Sequence, residues 1–119
     1  MAEVARYMVD INAGSYSFEA ANGRHEHEYH IWENLKLAPG KALIPGIITH
    51  ACNIVEHPEL IKERLMRFAA LVGRENVLAG ADCGFSSQAC AHTEIHPTVI
   101  WAKFEAMVEG ARLATEQLW

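Results

Sequence analysis

The chain has 119 residues, of which half are apolar, a formal net charge of −5 and three cysteines. This composition predicts one globular domain over 1–119 with a sizeable core. The acidic balance, without any Lys/Arg cluster, argues against nucleic acid and anionic membranes as partners. The longest stretch without Asp, Glu, Lys or Arg is 42–55, which is too short and too broken to span a bilayer.

The start of the chain and its thiols favour a cytoplasmic protein. The first ten residues, MAEVARYMVD, lack the basic, apolar and small-residue order of a signal peptide. An odd number of cysteines without a secretory signal indicates free thiols in a reducing compartment.

The first predicted elements are a helix, a strand and a second helix. Residues 2–12 carry an apolar stripe at helical spacing, formed by Val4, Tyr7, Met8 and Ile11. The segment 15–21 is rich in strand-forming residues and lies between turn signals, which predicts a strand. The polar segment 24–35 predicts a surface helix, with Tyr29, Ile31, Trp32 and Leu35 as its apolar side.

The second half of the chain repeats the alternation of strand and helix. The apolar run 42–50 predicts a buried parallel strand, in which Pro45 suggests an irregular ladder. Residues 58–72 predict the clearest helix, with proline at its first position and a glycine after it. A third strand is predicted over 76–85 and a long final helix over 96–119.

This order predicts an α/β fold with a parallel sheet and right-handed crossovers. Chemistry in such folds gathers at the carboxyl ends of the strands, where Glu19, His50 and Cys83 all fall. Carboxylate, imidazole and thiolate together are zinc ligands, and an open coordination position would make the site catalytic. The alternative is that Cys83 is a small buried hydrophobe, as free cysteines often are.

Other histidines and cysteines give weaker signals. The segment RHEHEYH, 24–30, contains three histidines, but its charges favour a solvated helix start over a metal site. His50 and Cys52 lie two apart and would point the same way in a strand, which makes them a possible zinc pair. Cys90 and His92 are interpreted as exposed loop residues without an assigned role.

Three stretches of the chain carry a family resemblance: SYSFEAANGRHEHEYHIWENLKL (15–37), the block from LIPGIITHACN to VLAGADCGF (43–85), and HPTVIWAKFEAMVEGARLA (96–114). Together they resemble the C-terminal part of the cobalamin-independent methionine synthase family, notably its shorter, single-barrel relatives. The resemblance implies a partial TIM (β/α)8 barrel, with this chain supplying the last three strand–helix units. It also implies zinc-dependent methyl transfer from methyltetrahydrofolate to a thiol such as homocysteine, or alkyl transfer to another thiol such as coenzyme M.

The resemblance also implies roles for individual residues. Cys83 and Glu19 match zinc ligands of the family, and Glu19 would thereby also contact the substrate. His50 and Asn53 match a loop that faces the substrate, which makes His50 a candidate for catalysis as well as binding. Asp82 is a second catalytic candidate at the barrel mouth.

Two departures from the family pattern bear on these roles. The family's remaining zinc ligands form a His-x-Cys pair on an earlier strand that this sequence does not contain, and the pair His50-x-Cys52 belongs to a different strand. Gly23 stands where the family is expected to have proline.

The unpaired edges of a three-stranded piece invite association with another chain. We therefore expect a homo-oligomer or a complementing barrel subunit. The alternative is a non-catalytic assembly subunit or a remnant of a longer gene.

Overall fold

The structure is a computed structural model that describes residues 2–85 and 94–119. Its helices and strands follow one another in the order α1 (Ala2–Asp10), β1 (Ser15–Phe18), a 3-10 helix (Glu26–Glu33), β2 (Ala42–Ile48), α2 (Pro58–Val72), a 3-10 turn (Arg74–Asn76), β3 (Gly80–Ala81), a 3-10 turn (Asp82–Phe85) and α3 (Pro97–Leu118).

Helices α2 and α3 begin with the same local signal. Each begins at the proline of a His-Pro dipeptide, 57–58 and 96–97, and the Nδ1 atom of the preceding histidine accepts a hydrogen bond of 3.2 Å from the backbone N–H two residues later. Proline suits the first helical position because that position needs no N–H donor. Gly73, at φ +94°, then ends α2 in a conformation that other residues rarely adopt.

The three strands form a parallel sheet in the order β1-β2-β3. The register runs from Ser15 opposite Ala42 to Phe18 opposite Pro45. Between β2 and β3 the register shifts, with Gly46 opposite Gly80 but Ile48 opposite Ala81. The parallel α/β sheet and the irregular ladder near the strand proline are thus confirmed.

All three strands are shorter than predicted. Strand β1 stops at Phe18 because the next backbone amides, of Ala20 and Ala21, donate to the side chain of Asp82. Strand β2 stops at Ile48, and β3 is only two residues long. The chain turns immediately after β3 because Cys83 and Gly84 adopt positive φ angles of 47° and 58°.

The predicted helices show two differences. The segment predicted as a helix over 24–35 is a 3-10 helix over Glu26–Glu33, in which side chains three apart lie on the same side. Helix α1 ends at Asp10 and exposes most of its predicted apolar stripe, with Val4, Tyr7 and Ile11 largely in solvent. Ala5 is buried and Met8 and Val9 pack against the core, so of the predicted stripe only Met8 lies on the packed side of the helix.

Two hydrophobic clusters hold the layers together. One lies between the β2–β3 side of the sheet and helices α2 and α3, and includes Ile47, Ile48, Ile61, Leu65 and Phe85. The other joins β1 and β2 to the 3-10 helix and α2, through Tyr16, Trp32, Leu43 and Phe68. No helix in the described part of the chain has both the length and the apolar content to cross a membrane.

Candidate metal centre

Asp82 connects the exits of β1 and β3. Its side chain is 0% exposed. Its Oδ1 accepts hydrogen bonds from the backbone N–H groups of Ala20 (3.0 Å) and Ala21 (3.3 Å), and its Oδ2 accepts one from the Asn22 side chain at 2.9 Å. A Cβ atom on Gly46 would lie 1.9 Å from Oδ1, so glycine is required on β2 for the carboxylate to fit. Asp82 therefore lies beneath the rim of the sheet and holds its loops together.

Glu19 is the first residue after β1, and its carboxylate is held by its neighbours. The Asn22 side chain donates to Oε2 at 2.7 Å, and the His25 Nε2 atom lies 3.6 Å from the same oxygen. Because Asn22 also donates to Asp82, the buried carboxylate of Asp82 orients the half-buried carboxylate of Glu19 through a shared amide. The hydrogen bond from the Cys83 thiol is the main reason that the pKa of Glu19 lies below its ordinary value.

Cys83 lies at the rim, exposed to solvent, and its thiol donates a short hydrogen bond to Glu19 Oε1. This bond is the largest cause that raises the pKa of the Cys83 thiol from 9.0 to about 11, with burial and the negative charges of Glu19 and Asp82 adding to it. The expectation of an inert buried hydrophobe does not describe this residue, because its sulfur is at the surface and touches a carboxylate.

His50 completes a group of three potential ligands. One ligand atom each from Glu19, His50 and Cys83 lie within 4.8 Å of one another. The structure thus brings together the three residues that the sequence placed at the carboxyl ends of three parallel strands. They open onto a cleft of about 470 Å³, which Asn22, Gly23, Arg24 and Ala51 also line.

The donor set fits zinc. Zinc–sulfur bonds are about 2.3 Å and bonds to nitrogen and oxygen about 2.0–2.2 Å, so ligand atoms around a tetrahedral ion lie roughly 3.5 Å apart. The separation of up to 4.8 Å in this group is within the reach of small side-chain adjustments. Binding would also require the Cys83 thiol to lose the proton that it donates to Glu19.

The loop after β2 contains the other predicted residues. Asn53 is exposed and lines a neighbouring cleft of about 380 Å³ together with His50, Ala51, Cys52, Glu94 and Ile95. Because β2 ends at Ile48, the strand geometry that suggested a His50–Cys52 pair does not apply, and that reasoning was wrong. Cys90 and His92 lie outside the described residues.

Sequence reasoning missed two neighbours of the site, Asn22 and His25. His27 and His30 are exposed as expected for a solvated segment, but His25 lies beside Glu19 and is also 2.7 Å from Glu28. No local pattern distinguishes His25 from the other two histidines. Asn22, three residues after Glu19, resembled only a turn residue.

Comparison with protein-family models and with curated proteins gives no match. Among solved structures, a B12-independent methionine synthase from Shewanella sp. W3-18-1, in complex with selenomethionine, superimposes with a TM-score of 0.79 at 22% sequence identity. The chain folds like part of this enzyme. The match covers 98% of this chain and 30% of the methionine synthase chain, so the present chain spans less than a third of that protein. The likeness inferred from the sequence is thus confirmed for the three-stranded parallel α/β unit, and the TIM barrel stays a prediction.

Proposed function

We propose that this chain carries one side of a zinc-dependent methyltransferase centre of the methionine synthase type. The observation that supports it most directly is the convergence of Glu19, His50 and Cys83 at the carboxyl ends of adjacent parallel strands. The likeness of the fold to a methionine synthase agrees with the same centre. The acceptor would be a small thiol such as homocysteine, with a folate-type methyl donor; coenzyme M is the alternative acceptor.

Glu19, Cys83 and His50 would hold the zinc ion. Bound zinc lowers the pKa of a coordinated thiol, so that the thiol is a thiolate nucleophile at neutral pH. Asn22 and Asp82 keep the Glu19 carboxylate at the rim, and they act as positioning residues. Since Asp82 is wholly buried and its contacts are with the loop after β1, we propose this role in place of direct catalysis.

His50 borders both clefts, so it can reach the metal group and the neighbouring space that Asn53 lines. We propose that the thiol end of the acceptor enters the first cleft and that the rest of it extends toward Asn53. Because His50 and Ala51 line both clefts, an acceptor that spans them would have its reacting sulfur close to Glu19 and Cys83.

A complete centre would need the rest of a barrel. The sequence resemblance implies further zinc ligands on an earlier strand, and the chain corresponds to 30% of its structural neighbour. We propose that a complementing subunit or a second copy covers the exposed side of α1, where Val4 and Tyr7 form an apolar stripe with Ile11, the residue after the helix. This stripe also supports the second candidate, an assembly subunit without catalysis of its own.

Zinc content and mass in solution, measured on the same purified sample, test both candidates. We expect about one zinc per chain, and Cys83→Ser or Glu19→Gln to weaken zinc binding by at least ~100-fold, because even partners outside the ligand set cost 10–100-fold. Cys52→Ser is the matched control and should retain zinc, because Cys52 is not part of the three-ligand group. Zinc binding that persists in both Cys83→Ser and Glu19→Gln would contradict the proposal. A stable oligomer without zinc would favour the assembly subunit.

A further inference from the structure

A buried ion pair links α3 to the loop after β2. The Lys103 side chain is 0% exposed and its Nζ lies 2.8 Å from Oε2 of Glu56, which is 7% exposed. A buried ion pair contributes little net stability, because the cost of removing two charges from water offsets their attraction. The reason for its presence is therefore to be found in what else the two charges contact.

Both charges bind the backbone of the loop 49–56. Glu56 Oε1 accepts a hydrogen bond of 2.7 Å from the N–H of Thr49, at the start of the loop. Lys103 Nζ donates one of 2.5 Å to the carbonyl of Ile54, near its end. One ion pair thus fastens the two ends of the loop to each other and to α3.

The middle of the loop contributes little to its own order. Ala51, Asn53, Ile54 and Val55 are exposed, and Ala51 is held by one short-range bond to the Thr49 side chain at 3.0 Å. A loop with few buried contacts opens easily unless its ends are held. His50, the potential metal ligand in this loop, immediately follows Thr49, whose backbone N–H donates to Glu56.

We propose that Glu56 and Lys103 are positioning residues that set the placement of His50 in the metal group. The inference rests on the proposed function only for its effect on metal binding, because its effect on the loop is independent of the metal. Charged groups suit this task because hydrogen bonds to them are shorter and stronger than those between neutral groups.

Two double variants of the full chain distinguish the effect of the two charges from the effect of the hydrogen bonds that they make to the loop 49–56. Glu56→Met with Lys103→Met removes both anchors but keeps similar volume. Glu56→Gln with Lys103→Met removes the charges but keeps an acceptor for the Thr49 N–H. The matched control is Glu59→Met with Lys62→Met, which removes an ion pair on the surface of α2.

Amide hydrogen exchange is the first readout. In the methionine pair we expect the Thr49 amide to exchange at least ~10-fold faster, which corresponds to the loss of one net hydrogen bond. The amides of Ile47 and Leu65 should be unchanged. In Glu56→Gln with Lys103→Met, the Thr49 amide should keep its protection from exchange. The order of the backbone should fall over 53–55, because the Ile54 carbonyl loses the hydrogen bond that Lys103 donates. The surface control should change none of these.

Zinc affinity is the second readout, and we expect a fall of about 10–100-fold in the methionine pair. If the wild type binds no zinc, the proposed function fails while hydrogen exchange still tests the positioning role. Thr49 exchange that is unchanged, or that rises in parallel with Ile47 and Leu65, would overturn the inference. If the methionine pair does not fold, unchanged backbone order over 53–55 in the glutamine variant would overturn it.

Discussion

The loops after β1 and after β2 both carry a ligand to the same cleft, but buried charges hold them in different ways. The loop after β1 is held by Asp82, which precedes Cys83 and lies beneath the site. The loop after β2 is held by Glu56 within the loop itself and by Lys103 on α3. In the first case the supporting residue is the chain neighbour of a potential ligand, whereas in the second the supporting pair lies away from His50 in the chain. Changes at Asp82 should therefore lower both the stability and the zinc affinity. Replacing both residues of the ion pair should lower the zinc affinity with little change in stability.

The largest expected effect on stability comes from Asp82→Ala. It removes the acceptor of the Ala20 and Ala21 amides and one of the two acceptors of the Asn22 side chain. Each lost buried bond costs about 1–3 kcal/mol, so we expect the free energy of unfolding to fall by roughly 3–5 kcal/mol. Urea unfolding measures this fall. The control is the same substitution at Asp10, which is exposed at the end of α1 and should change stability by less than about 0.5 kcal/mol. Equal urea midpoints for the two variants would contradict a supporting role for Asp82.

A smaller effect is expected from Gly46→Ala, because the new Cβ would have to displace the Asp82 carboxylate. We expect a loss of about 2–3 kcal/mol, in the range for overpacking of a core. In the double variant with Asp82→Ala, Gly46→Ala should lower the free energy of unfolding by less than it does alone, with a coupling energy of at least about 1 kcal/mol.

Gly110→Ala is the matched control for this cycle. Its Cβ would lie 2.5 Å from Ile61 Cγ2 and so disturb the contact of α3 with α2, away from Asp82. Its cost should therefore add to that of Asp82→Ala. If the costs of Gly46→Ala and Asp82→Ala also add, the Asp82 carboxylate and Gly46 do not interact.

Local signals in the sequence predicted the elements that are fixed locally. Helix α2 has the predicted bounds 58–72 because a proline begins it and Gly73 ends it. The convergence of Glu19, His50 and Cys83 could also be predicted, since parallel strands place their carboxyl ends at one edge regardless of loop detail.

Contacts between distant residues could not be predicted in the same way. Asp82 bonds to amides 61 and 62 residues away, and Lys103 pairs with Glu56 over 47 residues. Lys103 is charged and so is not part of any apolar pattern of α3, yet it is fully buried, and its charge has a partner in the loop after β2. The shortness of β3 has the same kind of cause: the chain turns at Cys83 into a contact with Glu19, which no periodicity encodes.

The smallest predicted effect concerns the pKa of the Cys83 thiol, which donates to Glu19 in the metal-free protein. With the other two cysteines replaced by serine, thiolate absorbance should report a pKa of about 11 for Cys83. Glu19→Gln should move this pKa toward 9.0, because the hydrogen bond to the Glu19 carboxylate is the largest cause of the raised pKa. An unchanged pKa in Glu19→Gln would mean that another group protects the thiol.

The two pKa shifts also predict how the stability that this contact contributes depends on pH. The raised pKa of Cys83 means that its contribution is complete below pH 9.0 and is lost as the pH rises through about 11. The lowered pKa of Glu19 means that its contribution is complete above pH 4.5 and is lost on further acidification. The stability difference between wild type and Cys83→Ala, which has no donor for Glu19, should therefore be largest between these limits. It should be small throughout, since Cys83 is exposed and water competes for the bond. Urea midpoints across this pH range measure the difference, and one that grows above pH 11 would show that the thiol is not the donor.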